Sequence, residues 1–308
     1  MVSNYGEGDP RAVLDSNKDR SKAKSFQIRA AGYGRFFDQP PQKAEANGTK
    51  TWIIRSAHAV VAITQVQEGT VLSRQDNPDE YMLLLDYGGS ATCRAGPDDT
   101  ITAGPASVTI LPPGNTSITC HKSGHVVRCF TSRADDMAAL AQNAAAYRNA
   151  AQECAPLVDW PAPPGGFRLR NYDLTKLERI TFAHIIRSTN LMLSTPLRTP
   201  ARRNPRAMSP HHHDDFEQVS ITLEGYWVHH LRTPWTPDMT TWREDEHAIF
   251  ASPSALVIPA GLIHTSQDVG PGECWLIDLF SPPREDFSRQ PGWVLNAGDY
   301  PAEWEKHA

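Results

Sequence analysis

Several features are scarce in this 308-residue chain, and each scarcity removes a class of function. Positive charge is not in excess: 30 Lys and Arg against 35 Asp and Glu leave a net charge of −5. No basic face is therefore evident that could track the phosphates of nucleic acid or an anionic membrane. No apolar run approaches the ~20 residues that span a bilayer. The N-terminal stretch MVSNYGEGDPRAVLDSNKDRSKAK has no apolar core of the kind a cleaved secretion signal carries. Cysteine is sparse: Cys93, Cys120, Cys129, Cys154 and Cys274 form an odd set without a C-x-x-C pair. That argues for reduced, mostly buried thiols, not a disulfide frame or a structural zinc site. The expectation is a cytoplasmic protein with neither nucleic acid nor membrane as partner, its chemistry to be sought in local motifs. Its length predicts two domains or one large one.

Hydrophobic residues make up 40% of the chain, enough for packed cores, and 25 prolines and 20 glycines punctuate it. Residues 1–50 are polar and broken by Gly and Pro, and read as an arm with at most one short strand. From 51 to 134 the pattern is short β-type runs such as TWIIRSAHAVVAITQV, EYMLLLDYG and SVTILPPG, which predict an antiparallel sandwich or barrel. Residues 135–154 turn Ala-rich, with Asp135 and Asp136 placed to favour a helix N-terminus. WPAPPGGF closes a 135–167 helix-and-linker segment. Residues 168–285 return to β runs (RITFAHIIRS, EQVSITLEGYWVHHL, SALVIPAG, CWLIDLF), and 286–308 form a C-terminal extension that could serve as a swap arm.

The two β-rich halves look duplicated. Glu80 to Gly88 and Glu217 to Gly225 each place Gly eight residues after Glu across a strand-like run, and ILPPG (110–114) matches VIPAG (257–261) further on. The second half carries about ten extra residues between these landmarks.

The segment SPHHHDDFEQVSITLEG holds the sharpest chemical signal. On an extended strand His211 and His213 project from one face. Glu217 or Gln218 offers an oxygen, and His264 in PAGLIHTS offers a further imidazole if the fold brings the two strands together. Neutral imidazoles with one oxygen suit Fe(II), Mn(II), Ni(II), Cu(II) or Zn(II) better than Ca or Mg.

At these residues the sequence resembles the cupin superfamily. His211-x-His213, four residues, Gln218, six residues, Gly225 fits its first motif, and Pro259-x-Gly261-x-x-His264 fits its second. That spacing prefers Gln218 to Glu217 as the third ligand. The flanks depart from the pattern: Pro205 and Pro253 stand where the motifs begin with Gly, and Asp268 replaces an Asn. The resemblance implies an all-β fold, two jelly-roll β-barrels in tandem with a connecting helix. One divalent transition metal (Fe, Zn, Mn or Ni) would sit in the C-terminal barrel on His211, His213, Gln218 and His264. Sliding the halves by the Glu80/Glu217 offset puts Arg74, Asp76 and Tyr81 in place of His211, His213 and Gln218, with Ser117 in place of His264. An Arg cannot ligate a cation, so the N-terminal barrel is expected to be metal-free. Arg74 could instead hold an anion there.

Three imidazoles and an amide bring no negative charge, so a bound metal keeps nearly its whole +2 and attracts anionic, chelating oxygen ligands. The family resemblance implies non-redox chemistry on a small oxygen-rich substrate (isomerisation, elimination, cyclisation or hydrolysis). Its alternatives are Fe(II)-dependent dioxygenation of a hydroxylated or diketone-like substrate and a non-catalytic metal-binding or sensor role. GYWVHHLRTPW supplies the catalytic candidates Tyr226, His229, His230 and Arg232. Arg232 could clamp a carboxylate, and either histidine could act as a general base. A homodimer paired through the sheets is a further expectation from the family.

Overall fold

In the computed structural model the described residues are 28–149, 151–177, 184–194, 198 and 202–302. Most of the N-terminal arm, through residue 27, thus lies outside them. The first half contributes β1 (Gly32–Gly34), β2 (Lys43–Ala44), β3 (Lys50–Arg55), β4 (Ala59–Val66), β5 (Val71–Asn77) and β6 (Tyr81–Leu85). It continues with β7 (Ala91–Ala95), β8 (Asp99–Ala103), β9 (Ser107–Leu111), β10 (Gly114–Cys120) and β11 (Gly124–Thr131). After helix α1 (Asp135–Leu140) come β12 (Arg170–Asp173), β13 (Ile185–Arg187), β14 (Met192–Ser194), β15 (Gln218–Glu224) and β16 (Trp227–Arg232). The chain ends with β17 (Glu246–Phe250), β18 (Ser254–Ile258), β19 (Ile263–Asp268), β20 (Trp275–Phe280) and α2 (Glu285–Ser288).

These strands build two jelly rolls. The first pairs a sheet ordered β12-β9-β6-β11-β4-β3-β2 with a smaller one, β5-β10-β7-β8. The second pairs β1-β18-β15-β20-β14-β13 with β17-β16-β19. Each barrel borrows a strand from outside its expected span. β1, from the N-terminal arm, pairs with β18 of the second barrel, and β12, just after the linker, pairs with β9 of the first. A boundary at residue 168 therefore cuts ahead of a strand that completes the preceding barrel.

Alternation along the strands explains how both faces of the large sheets are used. On β6, Tyr81, Leu83 and Leu85 fill the first barrel, whereas Met82 and Leu84 face the other half of the molecule. There they join Val219, Ile221, Trp275, Ile277 and Leu279 in a core between the two large sheets. β15 follows the same rule: Val219 and Ile221 pack between the barrels, so Gln218, Ser220 and Thr222 point into the second barrel.

The Ala-rich segment is less helical than its composition predicts. After α1, Gln142 N–H donates to the Ile53 carbonyl (2.9 Å), and the Asn143 amide makes two bonds to the backbone of Arg55 (2.9 and 2.8 Å). These contacts to β3 hold the chain at 142–143 off the helical path, and only a short 3₁₀ turn, Ala144–Tyr147, follows. Tertiary hydrogen bonds outweigh alanine's propensity here. The described part of the C-terminal extension, through residue 302, packs on its own chain: Trp293, Val294 and Tyr300 are buried, and Val294 bridges Ile185. No helix among the described residues is long and apolar enough to cross a membrane.

Candidate metal centre

The two motif segments meet across an antiparallel bridge between His211 and His264. A third backbone tie, from Gly261 N–H to the His213 carbonyl (2.6 Å), locks the second motif onto the first. Gly261 has φ of +80°, a conformation that costs glycine little and any L side chain more. The result gathers His211, His213 and His264 so that one ligand atom from each lies within 4.8 Å of the others.

Backbone carbonyls fix which nitrogens are presented. His211 Nδ1 contacts the Ser209 carbonyl and His264 Nδ1 the Leu262 carbonyl, both at 2.9 Å. A carbonyl only accepts, so both Nδ1 atoms carry the proton and each Nε2 keeps its lone pair for a metal. His213 is held neutral: burial, reinforced by Arg284 and the neighbouring imidazoles, pushes its pKa well below the ordinary value. Its ring stacks on Phe216 (4.5 Å between centroids) and meets Phe280 edge-on (5.8 Å), which keeps water from this side.

Gln218 and Glu217 separate onto opposite faces of their strand. Gln218 Oε1 lies 3.0 Å from His213 Nε2, while its amide nitrogen donates to Asp278 (2.9 Å) and Ser220 (2.9 Å). Asp278 accepts from that nitrogen, which turns the Gln218 oxygen toward the histidines. Two donors about 2.1 Å from a metal in cis positions lie about 3 Å apart, so the His213–Gln218 spacing fits a shared ion. Glu217 faces the first barrel instead, accepting from Ala57 N–H (2.5 Å) and the Tyr147 hydroxyl (3.0 Å). Its burial pushes the carboxyl pKa up to about 7.

The four catalytic candidates part company. His229 pairs with Ser266 and Leu231 with His264 across the β16–β19 ladder, so all four side chains share the barrel's inner face. His229 is fully buried, with Nδ1 2.8 Å from Ser266 Oγ and Nε2 without a partner among the described residues. Burial lowers its pKa to about 3, so the ring is neutral. His230 and Arg232 point the other way, His230 onto His247 (2.8 Å) and Arg232 onto Asp245 (2.5 Å). Both line a groove of about 140 Å³ that reaches His264. Tyr226 is exposed and outside the cluster.

Sequence reasoning missed the rest of the inner wall. Ser220 and Thr222 stand where the first barrel has Leu83 and Leu85, Asp278 and Ser254 pair beside them, and the buried hydroxyls of Thr222 and Ser254 lack partners among the described residues. Alternation from Gln218 could have found Ser220 and Thr222; nothing local marks Asp278.

The first barrel's copy of the site is corrected in one position. Arg74 pairs with Thr116, not Ser117, as His211 does with His264, because a bulge between Gly114 and Thr116 shifts the register. Tyr81 takes the place of Gln218, with its hydroxyl 2.8 Å from Thr116 Oγ1. Arg74 is already neutralised by Asp136 through two bonds (2.5 and 2.8 Å), so the anion expected of Arg74 finds that guanidinium occupied.

No family model and no curated protein matches the chain. Solved structures do. An oxalate decarboxylase of Lactobacillus farciminis in complex with formate superposes with a TM-score of 0.56 at 13% identity, over 83% of this chain and 87% of that one. A Bacillus subtilis oxalate decarboxylase variant gives 0.51 at 14% identity, over 87% and 83%. AerE from Microcystis aeruginosa gives 0.51 at 8%, over 82% and 98%. The chain has the two-barrel bicupin fold.

Proposed function

We propose that this chain is a metal-dependent bicupin enzyme that binds one divalent transition metal in its C-terminal barrel and acts, without redox change, on a small oxygen-rich anion. The observation that carries the reading is the convergence of three imidazoles whose Nδ1 protons are spent on backbone carbonyls or whose ring is held neutral, beside an amide oxygen aimed at the same point. His211, His213, His264 and Gln218 would hold the metal, and its chemistry would be to polarise a bound carbonyl or carboxylate. The uncharged donor set favours an anionic partner.

The remaining roles fall to the chain's own residues. Asp278 keeps Gln218 oriented. Phe216 and Phe280 exclude water from the His213 side. His229, neutral with Nε2 unpartnered among the described residues, can hydrogen-bond a substrate group at that atom, while its pKa of about 3 keeps it from serving as a general base. Arg232 is spent on Asp245 and serves the rim of the groove, not as a carboxylate clamp. The similarity to a formate-bound oxalate decarboxylase makes small carboxylates the first substrates to try.

The same donors suit Fe(II), so dioxygenation is the competing chemistry. Metal analysis of protein purified without oxygen, with turnover of small hydroxy- and keto-carboxylates followed with and without O2, separates the two. Activity indifferent to oxygen supports the proposal. Iron with substrate-dependent O2 uptake overturns it in favour of dioxygenation. If His264→Ala removes the metal and leaves turnover intact, the centre is structural.

A further inference from the structure

The barrel that lacks the histidine triad carries the opposite charge at the equivalent place. Leu83 pairs with Arg128 on β11 in the first barrel, and Ser220 pairs with Asp278 on β20 in the second. Arg128 therefore stands where Asp278 stands. In the second barrel a carboxylate backs the amide that faces the histidines; in the first, a guanidinium occupies that spot beside Tyr81, Thr116 and Arg74.

Arg128 is buried, at 6% exposure. Its Nε has no acceptor among the described residues, and its one hydrogen bond is a long contact from Nη2 to Thr64 Oγ1 (3.4 Å). The guanidinium lies 5.6 Å from the Phe130 ring centroid, and the Arg74 guanidinium lies 5.3 Å from the same ring. Asp136 pairs with Arg74 and none of the described carboxylates pairs with Arg128, so the group Arg74, Arg128 and Asp136 keeps one uncompensated positive charge. The neighbouring acids do not supply the missing negative charge. Burial raises Tyr81 to about 12, Cys93 to about 12 and Cys120 to about 11, so all three remain protonated at neutral pH. An isolated cation sealed in a barrel is costly to desolvate, and an anion on its fork offsets that cost.

We propose that the N-terminal barrel is an anion site, in which the Arg128 guanidinium binds one small monovalent anion, a halide or a short carboxylate. The duplicated fold would thus hold a cation in one barrel and an anion in the other. This assignment does not rest on any activity of the second barrel.

Bromide and formate are the probes. Crystals of the full chain soaked in bromide should show one anomalous peak within hydrogen-bond distance of the Arg128 guanidinium. In solution, bromide and formate should raise Tm by about 2–4 °C over gluconate at equal ionic strength. Arg128→Met should respond equally to all three salts, and Arg128→Lys, which keeps charge without the fork, should lose the formate increment first. If Arg128→Met does not fold, the bromide map of the unaltered protein decides. Absence of bromide at Arg128, or a variant whose salt response matches the parent, overturns the assignment.

Discussion

His211 and His264 are hydrogen-bonded partners across their bridge: His211 N–H donates to the His264 carbonyl (3.1 Å) and His264 N–H to the His211 carbonyl (2.8 Å). Residues 53 apart in sequence are thereby held with both imidazoles on one face, and their ring centroids lie 4.3 Å apart. The site is preformed by backbone pairing, so a metal would not have to assemble it. Replacing either histidine with Ala should leave the fold and abolish stoichiometric metal. At a free metal concentration 100 times Kd the parent should gain about 2.7 kcal/mol over its metal-free form, and both variants should gain almost nothing. Elemental analysis and denaturation with and without chelator check this.

The Asp278 carboxylate decides which end of the Gln218 amide meets the histidines. Asp278→Asn removes that preference, since Asn can accept or donate and the Gln218 amide can then turn its NH2 inward. Metal affinity should fall about 10- to 100-fold, with little change in stability of the metal-free protein. Competitive titration against a chromogenic chelator measures it; unchanged affinity would mean that Gln218 is not oriented by Asp278.

Most of this centre is legible in the sequence because its parts obey local rules. Two histidines at i and i+2, an amide five residues on, and P-x-G-x-x-H each fix their own geometry on a strand or turn. Gly225 shows how a motif position can be read physically: with φ of +90°, an added Cβ would lie 2.6 Å from Cys274 Sγ. Gly88, its counterpart, has no such constraint, which fits the looser first copy. What the sequence hides is long-range. The swapped strands β1 and β12, the bulge that exchanges Thr116 for Ser117, and the placing of Asp278 and Arg128 behind the two sites all depend on register. Register is a property of pairing and is not carried by any one segment. The Ala-rich run failed as a long helix for the same reason, its backbone being claimed by β3.

The motif glutamates are cross-struts between the two halves. Glu217 accepts from Ala57 and Tyr147 in the first half of the chain. Glu80, its counterpart, accepts from Thr189 N–H (3.0 Å), Thr189 Oγ1 (2.7 Å) and Tyr300 OH (2.6 Å) in the second. Each copy thus pins the other half. Glu217→Ala leaves a buried N–H and a hydroxyl without their acceptor and should cost about 2 kcal/mol, less than a fully favourable carboxylate would, because desolvating that carboxyl already opposes burial. Gln218→Ala should do the reverse, weakening metal binding while sparing the metal-free fold. Chemical denaturation and metal titration of the pair form the test. A loss of metal in Glu217→Ala equal to that in Gln218→Ala would contradict the face assignment.

His229 gives the interior a signature in acid. Its pKa is lowered to about 3 in the fold, by burial first and then by the neighbouring His264 and His230. An unfolded histidine takes up its proton near pH 6.5. Between about pH 6.5 and about pH 3 the unfolded chain therefore binds a proton that the native chain refuses, and stability falls as pH falls. From this group alone the slope is about 1.4 kcal/mol per pH unit. His58, His125 and His213 are also lowered by burial and add to the parent's acid sensitivity, but their share is common to a variant that changes only His229. His229→Gln keeps a polar, uncharged side chain and should flatten the curve. Urea denaturation of metal-free protein at about pH 6 and about pH 4 should show the parent losing about 3 kcal/mol more than the variant over that interval. Equal losses would mean that the His229 ring takes up its proton without unfolding, and a ring that can ionise in place is not sealed inside the barrel.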